Sequence, residues 1–461
     1  MLRAIVLMGL CAVLRGAPMP PAEFRELARS IYKELIEINT TTSNGDTSVA
    51  ARAMAARLKH AGLPSADVQE LGPVEKRGNL VARLRGSGSR KPLLLMAHLD
   101  VVDARREDWS LDPLVLTEKD GYFYGRGTTD DKASAAVYVA TLIRLLREGY
   151  RPDRDLILAL TADEENGDHN GAQWLTAQHR ELIDAAYGLN EGGDGQELNG
   201  KKTLLEVQAS EKVFLTFHVT AENRGGHSSL PRSDNAIYDL ARALGRLEQT
   251  RFPLALNEVT RAFFERMGKL QGGAVGRDMQ AIAGRAPDAA AEERLAENPF
   301  YNARMRTTCV ATMVEAGHAE NALPQRAVAT VNCRLLPTDT AANVQTTLER
   351  AVNDAHVRIE PLKQPVMAPP SPLLPEVMAA IEKTTAALWP GVPVVPIMGA
   401  GATDSKYLRA MGIPMFGVSG FFNDAADVRA HGRDERLGVQ QFYEGAEFNY
   451  RLVKMLSGGG R

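Results

Sequence analysis

The sequence predicts an α/β protein: a mostly parallel central sheet flanked by helices, interrupted by a smaller α+β domain with an antiparallel sheet. Three observations lead there. Helical and strand patterns alternate from Pro21 to about Gln208. From about Glu211 strands with one exposed face take over, and near Pro372 the first pattern resumes. At 461 residues, with 44% hydrophobic and 24% charged, the chain is a soluble globular protein too long for one ordinary core. The expected division is a discontinuous domain over 21–208 and 368–456, with a domain inserted at 211–362.

Within the first part, apolar residues at helical spacing predict helices over 23–38, 48–61, 133–147 and 171–178. Short apolar runs predict strands over 79–84, 92–97, 156–161 and 185–189, and ligands in such a layer gather at the strand ends. The inserted part alternates over 213–219, 307–314 and 327–335, with a helix over 340–353 and a short strand near 357–360. Between Arg251 and Asn302 an Ala- and Gly-rich stretch reads as a helical insertion. The last part carries a helix from near Pro372 to Leu388, strands over 392–397 and 414–418, and an amphipathic helix over 439–455.

Residues 1–17 have the layout of a secretory signal peptide: Arg3, an apolar stretch over 4–14, then Gly16-Ala17. The apolar stretch is too short to span a bilayer, so the expectation is export to the periplasm or outside, with no membrane attachment after processing. A merely hydrophobic N-terminal helix is the alternative. Of three cysteines, Cys11 lies in this segment, leaving Cys309 and Cys333 as either a bridge between neighbouring strands or two buried thiols. A net charge of −3 argues against a nucleic-acid partner.

His98-Leu99-Asp100 follows the apolar run Leu93 to Ala97. Residues two apart on a strand share a side, so His98 can ligate a metal while Asp100 orients its ring. Gly125-Arg126-Gly127-Thr128-Thr129-Asp130-Asp131-Lys132 brings two carboxylates to a helix start, where capping alone would need one. Thr161-Ala162-Asp163-Glu164-Glu165 ends a strand with adjacent acids, which repel unless a cation lies between them or one keeps a proton. Leu189-Asn190-Glu191-Gly192-Gly193 repeats the design, and Ala430-His431-Gly432 adds a late histidine. Two imidazoles with several carboxylates suit a pair of zinc-class ions, and the expected chemistry is hydrolysis.

The order and spacing of these motifs resemble the di-zinc peptidases and deacylases that include succinyl-diaminopimelate desuccinylase, acetylornithine deacetylase, aminoacylase, glutamate carboxypeptidase and carboxypeptidase S. The resemblance implies a zinc-peptidase catalytic domain and an inserted dimerisation or lid domain, two Zn2+ per subunit for which Co2+ can substitute, and a homodimer. It implies His98, Asp130 and Glu191 as ligands of one zinc and Asp130, Glu165 and His431 as ligands of the other, Asp130 bridging. Asp131 is then not a ligand. Asp100 would orient His98, and Glu164 would be the general base. Arg224-Gly225-Gly226-His227-Ser228-Ser229-Leu230-Pro231 is similar to the stretch whose histidine reaches the other subunit's site and donates to the oxyanion. Asn321 and Arg334 keep the spacing of residues that hold substrate polar groups, Arg334 clamping a carboxylate; a surface salt bridge is its alternative. Thr403 and Asp404, in Gly401-Ala402-Thr403-Asp404-Ser405, resemble the floor of the substrate cleft, with Ala402 replacing a glycine. The carboxypeptidase S-like branch is nearest in pattern. It implies release of a C-terminal amino acid from a short peptide, with N-acyl amino acid hydrolysis as the alternative. An inactive metal- or peptide-binding protein would be expected to lack the base, which Glu164 supplies here.

Overall fold

The computed structural model describes residues 17–165 and 167–459. Of the signal-peptide expectation over 1–17, residues 1–16 lie outside the described residues.

The larger domain is built on a ten-stranded mixed, mostly parallel sheet. At its centre Arg90–His98 runs parallel to both Arg154–Thr161 and Tyr187–Asn190, and Met415–Gly417 runs parallel to the latter. Leu93, Leu95 and Ala97 face one layer of helices while Leu94 and Met96 face the other, which is why this strand reads as an unbroken apolar run. The thicker layer contains Ala22–Glu37, Thr47–His60, Lys132–Arg147, Pro375–Leu388 and Val439–Ser457. The thinner one contains Gly171–Gln178 and Ser405–Ala410. Parallel strands end on the same edge of the sheet, so His98, Thr161 and Asn190 are delivered together; His98 stands opposite Thr161 in the register.

The strand Lys201–Glu211 was not anticipated from the sequence. It pairs parallel to Val394–Gly399 and antiparallel to Gly195–Leu198, carrying the large sheet up to the start of the insertion. The smaller sheet has four antiparallel strands in the order Thr308–Ala316, Arg326–Leu335, Val213–Glu222 and Val357–Pro361. Helices Ala236–Glu248 and Ala341–Val352 cover its apolar face. Cys309 and Cys333 stand directly opposite each other in neighbouring strands and form a disulfide, which decides between the two readings of the pair.

One expectation needs correction. The helices Glu258–Gln271, Gly273–Ala283, Ala289–Ala296 and Pro299–Met305 lie inside the stretch assigned to the inserted domain, yet they pack on the large sheet. Phe263, Phe264, Met279 and Ile282 join Leu204, Val395 and Ile397 in one apolar cluster. The reason is burial: Lys201–Glu211 and Val394–Gly399 present an apolar face that would otherwise meet water. No helix among the described residues is long and apolar enough to cross a membrane.

Candidate active site

His98 is buried at the end of its strand. Its Nδ1 lies 2.9 Å from the main-chain oxygen of Asp100. A carbonyl only accepts, so Nδ1 carries the proton and a neutral ring points the Nε2 lone pair outward. That Nε2 lies 2.8 Å from Asp130 Oδ1 and 3.8 Å from Glu191 Oε1. On the other side of Asp130, His431 Nε2 lies 3.0 Å from Oδ2 and 2.9 Å from Glu165 Oε1. One carboxylate thus has an imidazole nitrogen on each oxygen. Donor atoms of His98, Asp130 and Glu165 all lie within 4.8 Å of one another, as do those of His98, Glu164 and Glu191.

The cluster is short of positive charge. Burial pushes the Glu164 carboxyl up to about 8, helped by Asp404 and Glu165 and opposed by His98 and Lys406. Burial also raises Glu191 well above the carboxylate range and Asp131 to about 8. The neighbouring carboxylates of Asp130 and Glu165 raise His431 to about 10. Burial opposes charge on His98, but Glu191 and Asp130 overcome it and raise its pKa well above the usual value. Bringing these acids and imidazoles together without extra cations forces them to hold protons. Glu165 Oε1 is buried and, although close to His431 Nε2, lacks hydrogen-bond geometry. Divalent cations would replace those protons and give Glu165 Oε1 a partner, so this donor set fits two metals.

Asp100 corrects the sequence reading in one respect. Its main-chain oxygen, not its carboxylate, takes the close contact with His98; the nearer carboxylate oxygen is 3.7 Å away. The carboxylate instead accepts from the Glu164 N–H at 3.1 Å and the Glu165 N–H at 3.0 Å. It therefore aims the acidic pair. Asp163, which the sequence reading passed over, reverses the chain there with φ of 61° and is held by Arg77 at 3.1 Å. A non-glycine residue in that region needs such support.

The late loop is tied down by residues the sequence reading also missed. Glu435, fully buried, accepts from Thr129 N at 2.7 Å and from Arg126 at 2.6 Å. Arg126 donates onward to the main-chain oxygens of His431 and Gly432 at 3.2 and 3.0 Å. His431, with φ of 61°, is thereby fastened to the loop that carries Asp130. A charged residue between two glycines and an acid four positions after the histidine were the only signals in the sequence.

Thr403 and Asp404 are not free to touch substrate, another correction. Thr403 Oγ1 donates to Glu211 Oε1 at 2.7 Å, while Asp404 accepts from Thr161 Oγ1 at 2.8 Å and Asn170 Nδ2 at 2.6 Å. Both are buried, so they brace the cleft floor. Arg334 makes no surface salt bridge among the described residues. Its guanidinium lies 4.8 Å from the Phe214 ring centre and donates to Ala400 O at 3.3 Å, bridging the two domains. His227 lies on a two-residue ladder where Gly226–His227 pairs with Ala322–Leu323, and Asn321 immediately precedes the second of these strands. The Ser229 N–H donates to His227 Nδ1 at 3.2 Å, which leaves Nε2–H as the outward donor of the neutral ring.

The profile of Peptidase family M20/M25/M40 matches residues 94–455. The chain belongs to that family. Human (Homo sapiens) N-fatty-acyl-amino acid synthase/hydrolase PM20D1 is 29% identical over 463 residues, covering 94% of this chain and 89% of that protein. Probable carboxypeptidase S-like 2 of Dictyostelium discoideum is 29% identical over 378 residues, covering 79% and 72%. Among solved structures, the M20 family metallo-carboxypeptidase Sso-CP2 from Sulfolobus solfataricus superposes with a TM-score of 0.68 at 17% identity, covering 93% of this chain and 98% of that one. A Bacillus subtilis dinuclear metal-binding peptidase of the family, YXEP, gives 0.62 at 12% identity over 95% and 99%. The protein is a hydrolase of this metallopeptidase and amidohydrolase family, and its site brings together candidate metal-ligand groups.

Proposed function

We propose that the protein hydrolyses the amide bond of N-acyl amino acids, using two Zn2+ per subunit in an exported homodimer. The observation that carries the reading is Asp130, whose two carboxylate oxygens each face an imidazole Nε2. His98, Asp130 and Glu191 would hold one ion and Asp130, Glu165 and His431 the other. Imidazole with carboxylate suits Zn2+, and Co2+ can take its place. Bound there, the pair supplies a water of lowered pKa and polarises the scissile carbonyl.

Glu164 then takes the proton from the attacking water and returns it to the leaving nitrogen. Its main chain is fixed by Asp100, and a carboxylate can both accept and release a proton. His227 Nε2–H, offered by a partner subunit, would stabilise the oxyanion. Arg334 and Asn321 would hold the free carboxylate of the amino acid. Export is supported by the Cys309–Cys333 bridge, a bond that persists in oxidising compartments.

Two features favour an acyl group over a peptide on the carbonyl side: the likeness to N-fatty-acyl-amino acid hydrolases and the apolar cavity described below. Likeness to a carboxypeptidase S-like protein favours the second reading, release of a C-terminal residue from a short peptide. The scissile bond is chemically the same in both. A panel of N-acyl amino acids and dipeptides, assayed with and without chelator, tests the proposal. Metal-dependent cleavage of the acyl series is expected. Cleavage of dipeptides alone would favour the second reading, and activity undiminished after complete demetallation would overturn both.

A further inference from the structure

A cavity of about 510 Å³ lies where the two domains join, within the size range of sites that take one small-molecule ligand. Both chain crossings between the domains line it, Lys212 and Val213 on the way out and Leu362 to Ala368 on the way back. Several of its polar groups are held within the protein, although Arg409 Nε and one terminal guanidinium nitrogen have no hydrogen-bond partner. Glu211 pairs with Arg409 at 2.9 Å and also holds Thr403, while Lys212 Nζ donates to Arg334 O at 2.9 Å and to Arg306 O. What remains is largely an apolar wall, to which Val213, Leu215, Pro365 and Val366 contribute.

The cavity adjoins the catalytic carboxylates. Gly167, in its wall, donates its N–H to Asp163 O at 2.9 Å and closes the turn that presents Glu164 and Glu165. Lys406, also in the wall, follows Asp404 by two residues, with Nζ 4.9 Å from the Tyr407 ring centre. An amide carbonyl placed at Glu164 would therefore have its acyl substituent at the cavity mouth.

We infer that this hinge cavity is the binding site for an unbranched apolar acyl chain of the substrate, so that chain length, read at the junction of the domains, sets specificity. The inference rests on the amide-hydrolase reading above and deepens it. A chain in the cavity touches both domains and both crossings, so each added methylene buries surface against the hinge.

The test is kcat/KM for one amino acid carrying acetyl, hexanoyl, decanoyl and dodecanoyl groups, in the wild type and in Val366→Trp and Leu362→Trp. Both positions lie on the returning crossing, are partly exposed, and can be enlarged without entering a core. In the wild type kcat/KM should rise by up to about fourfold per methylene until the cavity is filled. In either variant the dodecanoyl-to-acetyl ratio should fall by at least about tenfold, equivalent to about 1.4 kcal/mol of lost chain binding. The ratio is taken on one preparation, so it is insensitive to the fraction of folded enzyme. A flat profile in the wild type, or variants that keep the wild-type ratio, overturns the cavity assignment while leaving amide hydrolysis intact. Failure to cleave any N-acyl amino acid, with dipeptides still cleaved, overturns both.

Discussion

The two sides of the cleft are built differently. On the large domain every metal-binding candidate stands on a strand end or a pinned loop: His98 by its bond to Asp100 O, Glu165 by the Asp100 carboxylate, His431 by Arg126 and Glu435. On the small domain His227 stands on a two-residue ladder with Asn321 beside it, while the Arg334 guanidinium, projecting from a paired strand, has only the Phe214 ring and one long hydrogen bond. The groups that manage charge are preorganised before substrate arrives, as electrostatic catalysis requires. Under the proposed function, a ligand or a partner subunit would complete the surroundings of the groups assigned to substrate.

The sharpest way to break this comparison is at the base. Glu164→Gln should lower kcat by at least about a thousandfold, within the range general acid–base groups supply, while metal content measured by atomic absorption stays at the wild-type ratio. Retained activity would show that the pinned side does not supply the base. On the loose side, His227→Ala should cost about 10²- to 10³-fold in kcat, the loss of one oxyanion donor. Mixing it with Glu164→Gln tests the partner role directly: hybrid dimers would hold one complete site and regain activity, whereas no recovery would confine His227 to its own subunit.

Glu435→Gln separates pinning from chemistry. It leaves Arg126 buried beside a neutral partner, and breaking a buried pair costs about 3–5 kcal/mol when one charge is stranded. Metal affinity should fall about 10- to 100-fold in a competition titration, because the loops carrying Asp130 and His431 lose their shared anchor. Removing the disulfide by Cys309→Ser with Cys333→Ser acts on the small domain alone. It should lower stability by about 2–4 kcal/mol in chemical denaturation while leaving metal content unchanged.

The smallest effect concerns pH and lies away from the cluster. Glu206 on Lys201–Glu211 is raised from 4.5 to about 7, by burial first and by Asp194 second. Between those values the unfolded chain releases a proton that the folded chain keeps, so stability falls as pH rises through 4.5 to about 7 and then levels off. Glu206→Gln removes that loss. Its thermal midpoint should match the wild type near pH 4 and exceed it at pH 8 by the equivalent of about 1–2 kcal/mol. A difference of the opposite sign would show that the charged form is favoured in the folded state.

Much of this was legible in the chain because it depends on local order. The helix Gly171–Gln178 and the strand Asn79–Leu84 fall where periodicity puts them, with both ends correct. The site candidates His98, Glu164 and Glu191 were visible because each follows an apolar strand, and parallel strands must end together. The helices between Glu258 and Met305 were misplaced because an amphipathic stripe says that a face is buried but not against which sheet. Asp404 looked like a substrate residue because its neighbours in sequence do not reveal Thr161 and Asn170, which occupy its oxygens.

The sequence by itself determined most of the strands and helices, Lys201–Glu211 excepted, and which side chains could ligate a metal, because periodicity and donor chemistry are properties of neighbouring residues. Tertiary structure alone decided that Asp100 aims the glutamates with its carboxylate, that Glu435 fastens the late loop, and that an apolar cavity opens at the hinge. Those outcomes depend on distances between groups up to hundreds of residues apart, which packing sets and local pattern does not encode.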